Sequence, residues 1–368
     1  MIPFFDPRPG YRALKSEIDA AIQRVLLSGR LILGPECAAF EDEFAKFVGS
    51  QHAVGVGSGT EALALAFRAL GLQPGDEVIT VSNAGAPPIA AIRSVAAVPR
   101  FVDVVPGSLV MDPAQLPAAV GPRTRCVLPV HLYGHPAPMD AILAFAQAHN
   151  LAVVEDCAHA HGARWHGREV GTFGAIGCFS FYPTKILGAF GDGGMCVTDD
   201  PALADRLRSL RVYGFRGDGE AHEEGTNSRL DEMQAAVLRV KLAHLPDALT
   251  ARRRLAAHYR HGLDRPDLTL PEENPAAQHA YHLYVVQCID RARVMAQLQQ
   301  HAIGFGIHYP IPAHAMEAYR RFAPTTGALT VSERAAGQVL SLPLFPELRP
   351  SEVDVVINAL SSTDTRLS

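Results

Sequence analysis

The 368-residue chain carries one tryptophan, six scattered cysteines and no apolar run long enough for a bilayer. Each scarcity removes a class of protein. The apolar segments at 92–98 and 151–154 fall far short of the roughly 20 residues that a membrane helix needs. Met1-Ile2-Pro3-Phe4-Phe5-Asp6 lacks the basic start and long apolar stretch of a secretory leader. The cysteines, at 37, 126, 157, 178, 196 and 288, form no Cys-x-x-Cys pair for zinc or dithiol chemistry. Most lie in apolar runs such as Arg125-Cys126-Val127-Leu128 and read as small buried hydrophobes of a reduced, cytoplasmic protein. Positive charge is in deficit as well. Lys and Arg number 33 against 38 Asp and Glu, a net charge of −5, and no basic stripe tracks a phosphate backbone. Neither nucleic acid nor membrane is expected as a partner.

What is present is ordinary for a folded enzyme: 48% hydrophobic and 19% charged residues. The length suits two domains, or one large α/β domain with an appendage. The first two thirds alternate short β-rich runs with helical patterns, the mark of crossover units on a largely parallel sheet. Leu14, Ile18, Ile22 and Val25 predict a helix over 12–28 that stops at Gly29. Strands are expected at 52–56, 78–81, 100–104, 125–131, 151–155, 176–181 and 194–198. Helices are expected from Glu61 onward and near 87–97, 138–149 and 201–211. After about residue 230 the style changes to helices at 231–243 and 248–262, a strand at 281–286, then helices near 291–301, 331–340 and 351–360. This places a large unit at 1–249 and a smaller α+β unit at 250–368, with the N-terminal helix packed near the latter. The run Arg252-Arg253-Arg254 reads as a solvated helix face.

Three segments could carry chemistry. Gly57-Ser58-Gly59-Thr60-Glu61 joins a strand to a helix, where backbone N–H groups and the helix N-terminus favour an anion. The same residues also suit an ordinary helix cap. Val153-Val154-Glu155-Asp156-Cys157-Ala158-His159-Ala160-His161 ends a strand on a carboxylate, at the sheet edge where open α/β folds bind ligands. Asp156, His159 and His161 could ligate a metal, or Asp156 could hold a protonated ring nitrogen with His159 beside it. Lys185 is the only charged residue between Glu169 and Asp192. An amine in apolar surroundings loses its proton more readily and becomes a nucleophile, although a lysine at a strand end can also snorkel to water. An anion cradle, a carboxylate and a buried lysine together are the three handles of pyridoxal 5′-phosphate (PLP).

In that order the segments resemble the DegT family of PLP-dependent nucleotide-sugar aminotransferases. The similarity runs nearly end to end. It takes in Leu33-Gly34-Pro35-Glu36, Pro129-Val130-His131-Leu132-Tyr133-Gly134, Phe179-Ser180-Phe181-Tyr182-Pro183-Thr184-Lys185, Asn227-Ser228-Arg229-Leu230-Asp231 and His308-Tyr309-Pro310. The resemblance implies an aspartate-aminotransferase-like α/β fold (PLP fold type I), with a mainly parallel sheet in the large domain. It implies that Lys185 forms a Schiff base with PLP and shuttles the proton. Asp156 keeps the pyridine nitrogen protonated, and His159 lies near the ring's 3-oxygen. Ser58, Gly59, Thr60 and Ser180 hold the phosphate, helped by Asn227 from a second subunit of a homodimer. Arg229, Tyr182, His308 and Tyr309 face the substrates, Arg229 and His308-Tyr309 from across the subunit interface, with Arg229 suited to the carboxylate of L-glutamate.

One departure stands out. Many members place an aromatic ring over the cofactor in the stretch equivalent to Asn83-Ala84-Gly85-Ala86-Pro87-Pro88, and here there is none. That stretch resembles the subgroup that aminates C3 of dTDP-3-keto-6-deoxyhexoses. Alternatives are a C4-ketosugar or UDP-ketosugar aminotransferase. More distant ones are a metal-dependent hydrolase or lyase, or a non-catalytic binding protein.

Overall fold

A computed structural model describes residues 1–324 and 328–361. Its centre is a seven-stranded sheet. The strands are β1 (His52–Val56), β2 (Glu77–Val81), β3 (Val98–Val102), β4 (Thr124–Leu128), β5 (Ala152–Asp156), β6 (Ile176–Ser180) and β7 (Gly194–Thr198), in the order β1-β7-β6-β5-β4-β2-β3. Strands β3, β2, β4, β5 and β6 pair in parallel, and β7 runs antiparallel to both of its neighbours. Strands β2 and β6 are buried at every position, as a sheet covered by helices on both faces requires. Because the parallel strands share a direction, their carboxyl ends lie along one edge. The turn after β1, Asp156 and Ser180 all come to that edge.

A smaller antiparallel sheet follows, of β8 (Leu268–Thr269), β9 (Tyr284–Cys288) and β10 (Val339–Leu342) in the order β8-β9-β10. Helices Leu245–Gly262 and Pro350–Ser361 pack beside it through Leu255, Tyr259, Val353 and Val356. Residues 2–5, rather than the helix after them, lie against this sheet. Ile2 bridges Ile303, and Phe5 meets Phe345 edge-on at 6.3 Å. Helix Lys15–Ser28 instead rests Ala21 and Val25 on Ala236. Among the described residues no helix is long and apolar enough to cross a membrane. All six cysteines are buried and free.

Three differences from the sequence reading have physical causes. Helix Pro35–Val48 lies outside the expected elements, although Cys37, Phe40, Phe44 and Val48 bury one face of it at helical spacing. Its open N-terminus is capped from afar: the Glu232 carboxylate accepts from the N–H groups of Gly34, Glu36 and Cys37 at 2.8, 3.0 and 2.7 Å. Local sequence cannot display such a cap. Next, the arginine run at 252–254 is solvated only in part: Arg254 is exposed, Arg253 half-buried and Arg252 interior. Arg252 is 2% exposed, and its Nη1 donates to the carbonyls of Tyr281, His282 and Leu344 at 3.1, 3.3 and 3.0 Å. The same contacts explain the third difference. With the carbonyls at 281 and 282 turned to Arg252, strand pairing starts at Tyr284 rather than at 281.

Candidate active site

A cavity of about 370 Å³ opens at the carboxyl edge of the sheet. Ten of the twelve residues singled out from the sequence line it: Ser58, Gly59, Thr60, Asp156, His159, Ser180, Tyr182, Lys185, His308 and Tyr309. Asn227 and Arg229 do not line the cavity of their own protomer; Asn227 is exposed and Arg229 half-buried. The ten come from segments about 250 residues apart, and the fold gathers them within one protomer, including His308 and Tyr309, which were expected from across the interface.

The cradle forms first. Ser58 is the N-cap of helix Gly59–Ala69, and its hydroxyl accepts from Glu61 N–H at 3.2 Å. The cap reading holds, and the helix N-terminus that Ser58 caps also faces the cavity. A Cβ at Gly59 would lie 2.6 Å from Ser180 Cβ, so only glycine lets the turn close onto the end of β6.

Asp156 closes β5 and is buried, with Oδ1 accepting from Ala158 N–H at 3.0 Å. Burial raises its pKa, while that N–H and the Lys185 ammonium pull it back. Desolvation lowers Lys185 to about 8, and Asp156 opposes the shift. A second lysine is similar in this respect only: burial also brings Lys241 to about 8. Its amine donates to the Gly188 carbonyl and sits 5.0 Å from the Phe190 ring centre, and neither it nor Glu347, the carboxylate that opposes its shift, lines the cavity. Apolar context alone therefore does not single out Lys185; the converging partners do.

His159 is buried and held uncharged by desolvation and by Lys185. His161 does not join it, contrary to the metal reading. Its ring lies among Phe44, Phe179 and Phe181, with centroids at 6.4, 5.3 and 5.8 Å. Among the described residues, the one group of His, Cys and carboxylate side chains close enough for a shared ion is His131, Glu155 and Cys157. There His131 Nε2 is 3.0 Å from Glu155, whose oxygens also accept from the N–H groups of Gly171, Phe173 and Gly174 at 2.8, 2.7 and 2.7 Å.

The missing aromatic has a counterpart. Ala84, Pro87 and Pro88 line the cavity, and Gly85, at φ +78°, leaves its Cα bare against the face of Tyr309. A Cβ there would stand 3.4 Å from three carbons of that ring. An aromatic ring thus reaches this wall from a segment more than 200 residues later in the chain. Sequence reasoning also missed His282, which lines the cavity with its ring 4.5 Å from His159 and its Nδ1 unpaired. A lone histidine before a strand carries no signal of that placement.

The buried histidines make stability depend on acid. Desolvation lowers His161 to about 3 and His308 to about 4, and it also depresses His135, His159, His279 and His282. The unfolded chain binds protons below about pH 6.5, where these folded groups do not, so stability falls as pH drops from there. At pH 5 His161 alone removes roughly 2 kcal/mol. Urea titrations at pH 7 and 5 should show the loss, and His161→Phe should flatten the slope by about one proton. An unchanged slope in that variant would show that His161 is not the protonating group.

A protein-family model matches residues 12–361, and its description is the DegT/DnrJ/EryC1/StrS aminotransferase family. The chain belongs to this family. It is an aminotransferase, and its mostly parallel central sheet is that of the α/β fold the resemblance implied. A Streptomyces venezuelae protein named dTDP-3-amino-3,4,6-trideoxy-alpha-D-glucose transaminase is 48% identical over 98% of this chain and 95% of its own. An Acidithiobacillus ferrooxidans protein, a UDP-N-acetyl-3-dehydro-alpha-D-glucosamine 3-aminotransferase, is 44% identical over 98% of both chains. A crystal structure of S. venezuelae DesV in complex with a ketimine intermediate matches at TM-score 0.95 and 48% identity, over 98% of this chain and 97% of that one.

Proposed function

We propose that this aminotransferase uses PLP to move an amino group from L-glutamate to C3 of a dTDP-linked 3-keto-6-deoxyhexose, acting in the cytoplasm as a homodimer. One observation carries the reading: Lys185, Asp156 and the Ser58–Thr60 turn meet in one cavity. These residues fit the cofactor. The glycine-closed cradle and helix N-terminus suit a phosphate, the buried carboxylate suits a protonated ring nitrogen, and the half-buried amine suits an aldehyde.

Bound PLP supplies an aldehyde for amines and a pyridinium that takes up electrons when a proton leaves the neighbouring carbon. The chain's own residues do the rest. With a pKa of about 8, Lys185 is uncharged in roughly a tenth of molecules at pH 7, against well under a thousandth for an ordinary lysine. It can attack, and once released it can carry the proton from the substrate carbon. Asp156 would hold the ring N–H, and Thr60, Ser180 and the backbone at Gly59 would hold the phosphate. His159 would serve the ring's 3-oxygen, while Tyr182, His308 and Tyr309 would form the substrate wall.

The position on the sugar rests on what the relatives' names share. Both name an amino group at C3, whereas one carries dTDP and the other UDP. A panel of dTDP- and UDP-linked 3-keto and 4-keto sugars with L-glutamate separates these possibilities. Turnover confined to UDP or 4-keto substrates would overturn the dTDP or C3 assignment.

The homodimer is supported by the ground around Asn227 and Arg229. Leu31 and Ile32 are half exposed there, Ile32 bridges Asp231, Val212 bridges Asn227, and exposed Tyr213 meets Phe215 at 5.9 Å. Large apolar side chains so clustered suit a second copy. If Arg229 serves the partner's cavity, mixing inactive Lys185→Ala and Arg229→Ala proteins should restore activity. Random pairing makes half of the dimers mixed, each with one intact site, so recovery should approach about a quarter of wild type. No recovery after verified subunit exchange would place Arg229 in its own protomer's site.

A further inference from the structure

Tyr133 is absent from the cavity lining, yet two residues that do line it are held by it. It is buried and adopts φ +60°, a left-handed conformation that costs a bulky residue roughly 1–2 kcal/mol. Strain of this kind persists only where the surroundings over-determine it. Here they do. Its N–H donates to His159 Nδ1 at 3.3 Å, and its hydroxyl donates to the His308 carbonyl. Its own carbonyl accepts from Leu283 N–H at 3.3 Å. Below it, His131 Nδ1 accepts from Ala137 N–H at 2.9 Å, which puts the proton on Nε2, facing the Glu155 carboxylate. The 131–137 loop is thereby pinned at both ends of one imidazole.

A neutral imidazole that accepts at one nitrogen donates at the other. Burial keeps His159 neutral, so the N–H of Tyr133 leaves it one tautomer. We propose that Tyr133 is a positioning residue: its two hydrogen bonds fix His159 as an Nε2–H donor to an oxygen anion in the cavity and hold the His308 segment against the sugar. The inference rests on the aminotransferase reading above. It extends that reading to a residue which itself touches neither cofactor nor substrate.

Two measurements test it. In the wild-type protein, ¹⁵N spectra of labelled histidine, with His159 assigned through His159→Gln, should show Nδ1 unprotonated and Nε2 protonated. A proton on Nδ1 overturns the proposal, and this readout is taken on the wild-type protein and depends on no turnover. Tyr133→Phe removes only the hydroxyl link to His308. It should raise KM for the ketosugar by about tenfold, as one lost hydrogen bond does. The glutamate half-reaction, followed by absorbance, and the melting temperature should stay at wild-type values. An unchanged KM overturns the proposal. So does an equal loss in both half-reactions with a lower melting temperature, the mark of a purely structural residue. A wild-type protein that takes up no PLP would instead sink the functional reading, while the tautomer result would still stand.

Discussion

Lys185→Ala is expected to remove the visible absorption band of the PLP-loaded protein and to lower turnover by roughly 10⁴-fold, the upper range for a lost acid–base group. The magnitude follows from two roles on one nitrogen. The amine makes the covalent attachment and then moves the proton, and no other amine in the cavity can replace it. Borohydride treatment of the loaded wild type should bleach the band and leave the label on Lys185. Lys241 is the natural control, since burial has also brought its pKa to about 8. Its amine donates to Gly188, away from Asp156 and the cradle. Label found on Lys241, or a band that survives in Lys185→Ala, would refute the assignment.

Arg252→Met is expected to destabilise the protein by about 3 kcal/mol, although it keeps an apolar stem of similar length. The guanidinium meets three carbonyls, at 281, 282 and 344, and thioether sulfur donates to none of them. Each stranded buried acceptor costs about 1–3 kcal/mol, partly recovered by relaxation and by no longer burying a charge. Burial has already brought the Arg252 pKa down to about 10, so that relief is real, yet three acceptors outweigh one charge. Arg252→Lys should fall between, because one ammonium reaches fewer of the three carbonyls. Urea unfolding at pH 7 measures the order. Because the carbonyl of His282 is among those released, cofactor affinity should drop alongside stability. Wild-type stability in Arg252→Met would show that these carbonyls do not depend on the side chain.

Much of the site could be read in advance, for a reason particular to this architecture. In a parallel sheet a strand's last residues go to the ligand edge whatever lies between the strands. An apolar run ending at Asp156 or Ser180 therefore announces its own place. The Gly59 turn announces itself similarly, since a strand, small residues and a helix start have one sensible geometry. Period-two alternation also separates Asp156 from Glu155: one carboxylate enters the cavity, and its neighbour accepts three backbone N–H groups on the far side.

Other features left no local trace. Tyr309 fills the wall opposite Gly85 from a segment beyond 300, and Glu232 caps a helix that begins at Pro35. Arg252 sits in a run of charge that in isolation belongs in water, and His161 sits in a box of phenylalanines instead of beside a metal.

Residue order alone was enough for most of the elements and for the family, because periodicity, strand ends and small-residue turns are properties of neighbours along the chain. Only the folded molecule could choose which of two buried lysines lines the cavity, which histidines touch it and which arginine is interior. Those outcomes depend on desolvation and on partners brought together from far apart, and neither is encoded within any one stretch of chain.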